Sequence, residues 1–255
     1  MALIGGAVTL AVYIMLGRRR LIGWRQSVTA MIFVGAGVLI GAHLLFFIVG
    51  FPDWIATWSG NIHSAYDLLK AVSYGASGLV FYGGLFGGYC GMIIFCKICG
   101  LYTYWELCRL SVVIPLFHLF GRIGCALEGC CYGIEYHGIF ALKYTESYIN
   151  PGISDDIADF PRFPVQLLEA FAELLIFILL FILYKKAGEL YSQTCIYLLI
   201  YSIVRFADEF LRGDAARGMW GIFSTSQWIS IAVFISVMIY LIVRRVKNPT
   251  RYMFM

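Results

Sequence analysis

Four polar residues that could take part in catalysis lie within a strongly apolar stretch, at the spacings of an α-helix. Tyr201, Arg205, Glu209 and Arg212 are separated by four, four and three positions, which places them on one face of an α-helix. The alternating signs let Glu209 neutralise an arginine on either side. Since an unpaired charge near a bilayer centre costs at least ~2.5–3.5 kcal/mol, this face must look into a helix bundle or a wet cavity.

Two interpretations of this polar ladder are open. Arg205 and Glu209 could simply clamp their helix to its neighbours. Two arginines with one glutamate exceed what a clamp needs, however, and a guanidinium is the natural bidentate partner of a phosphate. Because the ladder approaches the end of its apolar stretch, where lipid headgroups would lie, we favour phosphate binding.

More polar residues stand at the starts of two other apolar stretches. Glu169 and Glu173 share one helical face, although the dipole at a helix N-terminus would favour acidic residues there without any further role. Gln227 begins the last apolar stretch in a similar way. These residues extend the group of polar side chains that a helix bundle could bring together.

Arg122 lies in the glycine-rich segment 121–133, GRIGCALEGCCYG. The glycines predict backbone that is not continuous helix, and unpaired backbone groups beside a guanidinium could cradle an anion. The alternative is an arginine that lies along apolar surface and extends its charged end to the membrane interface.

Three cysteines of the same segment, Cys125, Cys130 and Cys131, could be a redox pair, a metal site or packed thiols. Zinc sites usually have paired cysteines with a second pair or histidines elsewhere. Here that second half is missing unless His118 or His137 joins. We therefore expect no metal, and the outward location derived below favours a disulfide within the cluster.

The elements that position these residues must be membrane helices. The chain has 61% hydrophobic and 13% charged residues, about half the usual charged share of a soluble domain. With ~17–25 apolar residues needed for each span, we predict an all-α integral membrane protein, a single polytopic domain over 1–255 with about seven transmembrane helices. The predicted spans are about 2–17, 28–50, 74–96, 107–124, 165–184, 194–211 and 227–243. The fourth contains Pro115 and is expected to be broken or partly re-entrant.

Basic residues give the orientation, because cytoplasmic loops carry an excess of Lys and Arg. Clusters follow the odd-numbered spans, which predicts an external N-terminus and a cytoplasmic C-terminus. The outer loop, about 127–164, is acidic. The basic residues are Arg18, Arg19, Arg20, Arg25, Lys97, Lys185, Lys186, Arg244, Arg245, Lys247 and Arg251; the acidic ones include Glu128, Glu135, Glu146, Asp155, Asp156 and Asp159.

Four motifs occur in an order that resembles the prolipoprotein diacylglyceryl transferases. They are GRIGCALEGCCYG (121–133), FPVQLLEA (163–170), RFADEFLR (205–212) and SQWIS (226–230). FYGGLFGG (81–88) and IGAHLLF (40–46) extend the resemblance towards the N-terminus. Together these motifs cover nearly the whole chain.

The resemblance implies an enzyme of the bacterial cytoplasmic membrane. Such a transferase moves the diacylglyceryl group of phosphatidylglycerol onto the lipobox cysteine thiol of a preprolipoprotein, and glycerol 1-phosphate leaves. Its partners would be phosphatidylglycerol, the lipobox signal peptide and the bilayer. No cofactor, metal or nucleic acid is expected.

The same resemblance implies roles for individual residues. Arg205, Glu209, Tyr82 and Tyr201 would be catalytic. Tyr82, which stands in place of the family's histidine, or a glutamate acting through water could substitute as the base. The phosphate of phosphatidylglycerol would be bound by Arg122, Arg205, Arg212, Glu169 and Gln227.

The sequence also departs from the family pattern. Tyr82 stands where the family has a histidine in an HGG motif, and His43 stands where it has an arginine. In the signature GRxGNxxNxE, Cys125, Glu128 and Cys130 replace the two asparagines and the glutamate. Two alternatives therefore stay open: a paralogue with another acceptor, and a non-catalytic phospholipid-binding or transport protein. A thiol-based redox protein is a third, supported by the cysteine cluster alone.

Overall fold

The computed structural model describes residues 1–18, 22–58, 64–75, 78–144, 160–187, 192–214 and 219–247. Part of the predicted outer loop therefore lies outside the described residues, including Glu146, Asp155, Asp156 and Asp159. The same holds for the basic residues Arg19, Arg20 and Arg251.

Helices dominate the described part of the chain. They are α1 (Ala2–Gly17), α2 (Trp24–Trp58), α3 (Ala65–Gly75), α4 (Phe81–Cys99), α5 (Thr103–Glu128), α6 (Val165–Ala187), α7 (Gln193–Asp208) and α8 (Thr225–Lys247). One turn of 3₁₀ helix, Glu209–Leu211, follows α7. Two short antiparallel strands, β1 (Met219–Trp220) and β2 (Phe223–Ser224), precede α8.

Five of these helices are long and apolar enough to cross a membrane: α2, α4, α5, α6 and α8. An all-α multi-pass membrane protein is therefore confirmed. Helix α1 is apolar but has 16 residues, and α7 also has 16. The total of seven spans and the orientation of the termini stay predictions. Helix α3 was not among the predicted spans.

The prediction that the fourth span is broken is wrong. Helix α5 continues through Pro115, Gly121 and Gly124 to Glu128. A proline removes one helical hydrogen bond, and neighbouring helices in a membrane protein can satisfy the group that is left. The irregular backbone begins at Gly129, whose φ of 74° lies in the left-handed region that favours glycine.

The polar ladder also differs from its prediction. Helix α7 ends at Asp208, and Arg212 has extended backbone with φ −81° and ψ 141°. Arg212 is therefore not on the helical face that carries Tyr201 and Arg205. The apolar run does not reveal this end because Phe210 and Leu211 continue it beyond the helix.

The chain divides into two compact units: residues 1–12 with 108–255, and residues 13–107. In the second unit α2 packs closely on α4. A Cβ atom at Gly37 or Gly41 would overlap the carbonyl oxygens of Gly87 or Gly83, so the two backbones touch. Small residues permit such close packing. The glycines of α4 thus allow this close contact with α2. The single polytopic domain stays a prediction.

Candidate functional site

Helices α5 and α6 of the first unit hold a buried network of four charged or titratable side chains. His118 and Arg122 stand one turn apart on α5, and Glu169 and Glu173 stand one turn apart on α6. His118 Nδ1 lies 2.8 Å from Glu173 Oε1, and Arg122 Nη2 lies 2.9 Å from Glu169 Oε1. All four are buried, so each charge depends on its partners in place of water.

The contacts of His118 indicate which nitrogen carries its proton. Arg122 Nε donates a hydrogen bond to His118 Nε2 over 3.2 Å. With Nε2 as acceptor, Nδ1 carries the proton and donates it to Glu173. Because the lone pair of Nε2 accepts the hydrogen bond from Arg122, His118 fixes the orientation of that guanidinium. Glu173 in turn orients the imidazole.

Two predicted site residues, Tyr201 and Arg205, lie on α7, and Tyr201 contacts the buried network of α5 and α6. The Tyr201 hydroxyl lies 3.5 Å from Glu169 Oε1, and its ring packs edge-on against His118 at 5.4 Å. Tyr201 and Arg205 are four residues apart and both are buried. Three of the predicted site residues, Arg122, Glu169 and Tyr201, therefore lie together in one unit.

Arg205 is held by the end of α7 and the start of α8. Its Nη2 lies 2.7 Å from Glu209 Oε2 and donates to Ser226 Oγ at 3.1 Å. Its Nη1 is buried and has no hydrogen-bond partner among the residues the structure describes. A buried donor of this kind costs free energy unless a ligand or water satisfies it. The guanidinium is thus fixed on one side and unsatisfied on the other.

Arg212 pairs with a residue that the ladder did not indicate. Its Nε donates to Asp214 Oδ1 at 2.9 Å, and its Nη2 contacts Oδ2. Burial alone would lower the pKa of the Arg212 guanidinium, but the bond with the Asp214 carboxylate raises it. The expectation that Glu209 would serve both arginines is therefore replaced by a separate carboxylate for each.

Backbone pairing brings Arg212 to the cysteine segment. Gly133 and Arg212 form an antiparallel bridge. Ile134 N donates to Leu211 O at 2.9 Å, and Gly213 N donates to Tyr132 O at 3.0 Å. A Cβ at Gly133 would overlap the Phe163 carbonyl, which explains glycine at that position.

Gln227 caps the N-terminus of α8. Ser224 N donates to its Oε1 at 3.0 Å, and Gln227 N donates to Ser224 Oγ at 3.2 Å. This reciprocal pair is a capping box at the start of α8. Gln227 Nε2 also lies 3.4 Å from Phe206 O, which links α8 to α7. Gln227 thereby helps to place Ser226, a partner of Arg205.

The thiols of Cys125, Cys130 and Cys131 lie together, with all three sulfur atoms within 4.8 Å of one another. They are half-buried, and the expected disulfide among them is not formed in the structure. Hydrogen bonds with the thiols of Cys125 and Cys130, and then the Arg212 and Arg122 guanidiniums, lower the pKa of Cys131. Hydrogen bonds with the other two thiols raise the pKa of Cys130.

Tyr82 is buried in α4 and belongs to the other unit. Its proposed role as the base stays a prediction. Sequence reasoning missed His118 and Glu173 as partners of each other. The four-residue spacings of His118 with Arg122 and of Glu169 with Glu173 were the available signal, because each spacing stacks two polar side chains on one helical face.

An apolar groove of about 310 Å³ lies between α7 and α8. It is lined by Ser202, Ile203, Phe206, Ala207, Ser230, Ile231, Phe234 and Ile235. Ser230 donates to the backbone oxygen of Ser226 at 2.8 Å. The groove therefore begins one helical turn from the serine that contacts Arg205.

Comparison with known proteins gives consistent matches. Residues 1–243 match the model of the prolipoprotein diacylglyceryl transferase family. The chain is 34% identical over 176 residues to phosphatidylglycerol–prolipoprotein diacylglyceryl transferase 2 of Clostridium perfringens, covering 68% of this chain and 64% of that protein. It is 32% identical over 243 residues to the phosphatidylglycerol–prolipoprotein diacylglyceryl transferase of Clostridium tetani, covering 92% of this chain and 88% of that protein.

Proposed function

The chain belongs to the prolipoprotein diacylglyceryl transferase family, and we propose on this basis that it transfers diacylglyceryl from phosphatidylglycerol to a lipobox cysteine thiol. The acceptor is a preprolipoprotein. The sulfur forms a bond to the terminal glycerol carbon of the lipid, and the bond from that carbon to the phosphate oxygen breaks. Glycerol 1-phosphate leaves with the electron pair of the broken bond.

The observation that carries this proposal is the half-satisfied guanidinium of Arg205. Glu209 and Ser226 hold Nη2, while Nη1 has no partner in the described residues. A phosphate oxygen is the acceptor that suits a guanidinium best. Preorganised donors that meet charge developing on the leaving phosphate stabilise the transition state. Arg205 therefore binds the phosphate, and Glu209 fixes its orientation.

Arg122 and Arg212 would complete the phosphate site. Arg122 is already paired with Glu169, and Arg212 is paired with Asp214. These carboxylates compensate the two buried positive charges before lipid binds, because an uncompensated buried charge is strongly destabilising. A guanidinium has five N–H donors, so phosphate can share it with a carboxylate. We assign Glu169 and Gln227 to positioning, and Tyr201 to contact with the site through Glu169.

The acceptor thiol must lose its proton before it attacks, because the thiolate is the nucleophile. Tyr82 remains the sequence-based candidate for the base.

The apolar groove between α7 and α8 suits one acyl chain of phosphatidylglycerol. Its lining is almost entirely hydrocarbon, and the serine that contacts Arg205 stands one turn from Ser230. A lipid with its phosphate at Arg205 would have a chain within reach of this groove.

We further propose seven spans in a single polytopic domain of the bacterial cytoplasmic membrane, with an external N-terminus. The basic ends of α6 and α8, Lys185, Lys186, Arg244, Arg245 and Lys247, support this orientation. A C-terminal fusion to alkaline phosphatase should be inactive and one to green fluorescent protein should fluoresce; the reverse pattern would refute the orientation.

The test of the function is complementation of a strain depleted of its own diacylglyceryl transferase. Wild-type protein should restore lipid modification of a reporter prolipoprotein, and Arg205→Ala should not. Arg245→Ala is the matched control, since Arg245 is an exposed arginine at the end of α8, and it should behave as wild type.

A second variant separates chemistry from folding. Arg205→Gln combined with Glu209→Gln leaves no unpaired buried charge and should reach wild-type abundance while remaining inactive. Full complementation by either Arg205 variant would overturn the assigned mechanism.

A further inference from the structure

The three thiols at the junction after α5 form a compact set of potential metal ligands. Cys125 lies in the last turns of α5, and Cys130 and Cys131 follow it directly after Gly129. Adjacent side chains in extended backbone point to opposite sides. Here the φ of Cys131 is 55°, in the left-handed region, and the sulfur atoms of Cys130, Cys131 and Cys125 lie within 4.8 Å of one another.

We propose that Cys125, Cys130 and Cys131 bind one zinc ion whose fourth coordination position receives the sulfur of the acceptor cysteine. This inference rests on the proposed function for the identity of the fourth ligand. The metal site itself stands on the arrangement of the three sulfur atoms, which replaces the expectation from the sequence that these cysteines bind no metal.

The sulfur positions fit the geometry of zinc. Zinc is tetrahedral with Zn–S distances of about 2.3 Å, which places ligand sulfurs about 3.8 Å apart. The three sulfur atoms satisfy this spacing after movements of less than about 1 Å, within the reach of side-chain rotation at half-buried positions. Sites with three protein ligands keep one position for water or substrate, whereas structural zinc sites have four.

The charge around the cluster suits a zinc–thiolate centre. Three thiolates and Zn²⁺ carry a net charge of −1, and a fourth thiolate makes it −2. Arg212 forms a backbone bridge to Gly133, two residues after Cys131, and Arg122 precedes Cys125 by three residues on α5. Their guanidiniums would offset the excess negative charge of the bound form, which a low-dielectric environment makes costly.

The backbone of the cluster is held from α6. Gln166 Nε2 donates to the Cys130 carbonyl oxygen at 2.8 Å and lies 3.2 Å from the Tyr144 hydroxyl. Gln166 is buried. Cys130 N also donates to Cys125 O at 3.1 Å, which joins two of the three ligands through the main chain. Such outer contacts orient metal ligands.

The site would supply the thiolate that the transfer requires. A thiol that coordinates zinc is deprotonated, and its proton is released to solvent. A lone pair of the coordinated sulfur then forms the C–S bond to the glycerol carbon, the C–O bond breaks, and its electron pair leaves on the phosphate. No oxidant or reductant is needed, and the demand on Tyr82 as a base falls.

The experiment measures metal in full-length protein purified in detergent without chelator under reducing conditions. Elemental analysis should give about one zinc per chain, falling at least fivefold in Cys131→Ser. Cys90→Ser, which changes an exposed cysteine of α4, should keep the wild-type content. Replacement of zinc by cobalt should give a thiolate-to-cobalt absorption band that changes when a lipobox peptide is added, but not when its cysteine is serine.

A second measurement needs no variant. Zinc should protect the three thiols from an alkylating reagent, and a strong chelator should remove that protection. Absence of bound metal, unchanged content in Cys131→Ser, or two of the three thiols isolated as a disulfide would each overturn the site. Peptide-independent cobalt spectra would overturn the open position. Transfer activity without metal would refute this inference and leave the proposed function standing. Metal binding without transfer would refute the proposed function and leave the three-cysteine metal site standing.

Discussion

His118 Nε2 accepts a hydrogen bond from Arg122 Nε, one helical turn further along α5, over 3.2 Å. The imidazole is itself held by Glu173 at 2.8 Å. The proposed role of Arg122 in binding phosphate requires a guanidinium of fixed orientation. An imidazole holds its Nε, and the carboxylate of Glu169 holds its Nη2.

Removal of His118 should impair transfer without abolishing it. We expect His118→Ala to lower kcat/KM by about 10- to 100-fold, because misplacement of a positioned group by about 1 Å costs on that order. Steady-state transfer to a lipobox peptide measures this effect. His137→Ala is the control, since the His137 side chain is 72% exposed. Equal losses in the two variants would contradict the positioning role.

Loss of the Glu209 carboxylate should destabilise the protein as well as inactivate it. Glu209→Ala leaves the buried Arg205 without the carboxylate 2.7 Å away. Breaking a buried ion pair in this way costs about 3–5 kcal/mol of unfolding free energy. Thermal unfolding in detergent should show a clear drop in Tm. Glu135→Ala, at a half-exposed position, should leave Tm unchanged, and a similar Tm for both variants would argue against the pair.

The glycine contacts between α2 and α4 predict a sharp difference between two neighbouring positions. A Cβ at Gly37 would overlap the Gly87 carbonyl, whereas one at Gly35 meets nothing within 4 Å. Gly37→Ala should therefore cost about 1–3 kcal/mol through overpacking, seen as a lower Tm. Gly35→Ala, two residues away on α2, should be neutral. A harmless Gly37→Ala would mean that the helices do not touch there.

The apolar groove gives a prediction about the lipid. Ile235→Trp should fill it and raise KM for long-chain phosphatidylglycerol several-fold, with a smaller effect on a short-chain analogue that does not reach the groove. Ile239→Trp is matched because both isoleucines are exposed on α8, at 51% and 56%, and only Ile235 lines the groove. An unchanged ratio of the two KM values in Ile235→Trp would exclude an acyl chain there.

The apolar runs predicted the main helices well because a membrane span requires a long uninterrupted hydrophobic segment. Helix ends were less predictable. Pro115 and Gly121 suggested a break, but α5 continues through both residues. Phe210 and Leu211 extend the apolar run beyond the end of α7 at Asp208, so the sequence did not show that end. Local hydrophobicity carries no information about these tertiary effects.

Some contacts of the site could be predicted from the sequence and others could not. The four-residue spacing predicted that Arg205 lies beside Glu209, since residues four apart on a helix are neighbours. It could not show that Arg212 pairs with Asp214, because Arg212 lies in extended backbone beyond the end of α7, where it forms a bridge to the distant Gly133. The pairing of His118 with Glu173 was missed because the two residues lie on different helices, 55 residues apart.

The most direct test of the proposed transfer is the mass of a lipobox peptide after incubation with this protein and phosphatidylglycerol. We expect a gain of one diacylglyceryl group on the cysteine, with release of one glycerol 1-phosphate for each modified peptide and no gain when that cysteine is serine. An unchanged peptide mass, with phosphatidylglycerol still bound to a folded protein, would contradict it and identify a lipid-binding protein that has lost the transfer chemistry.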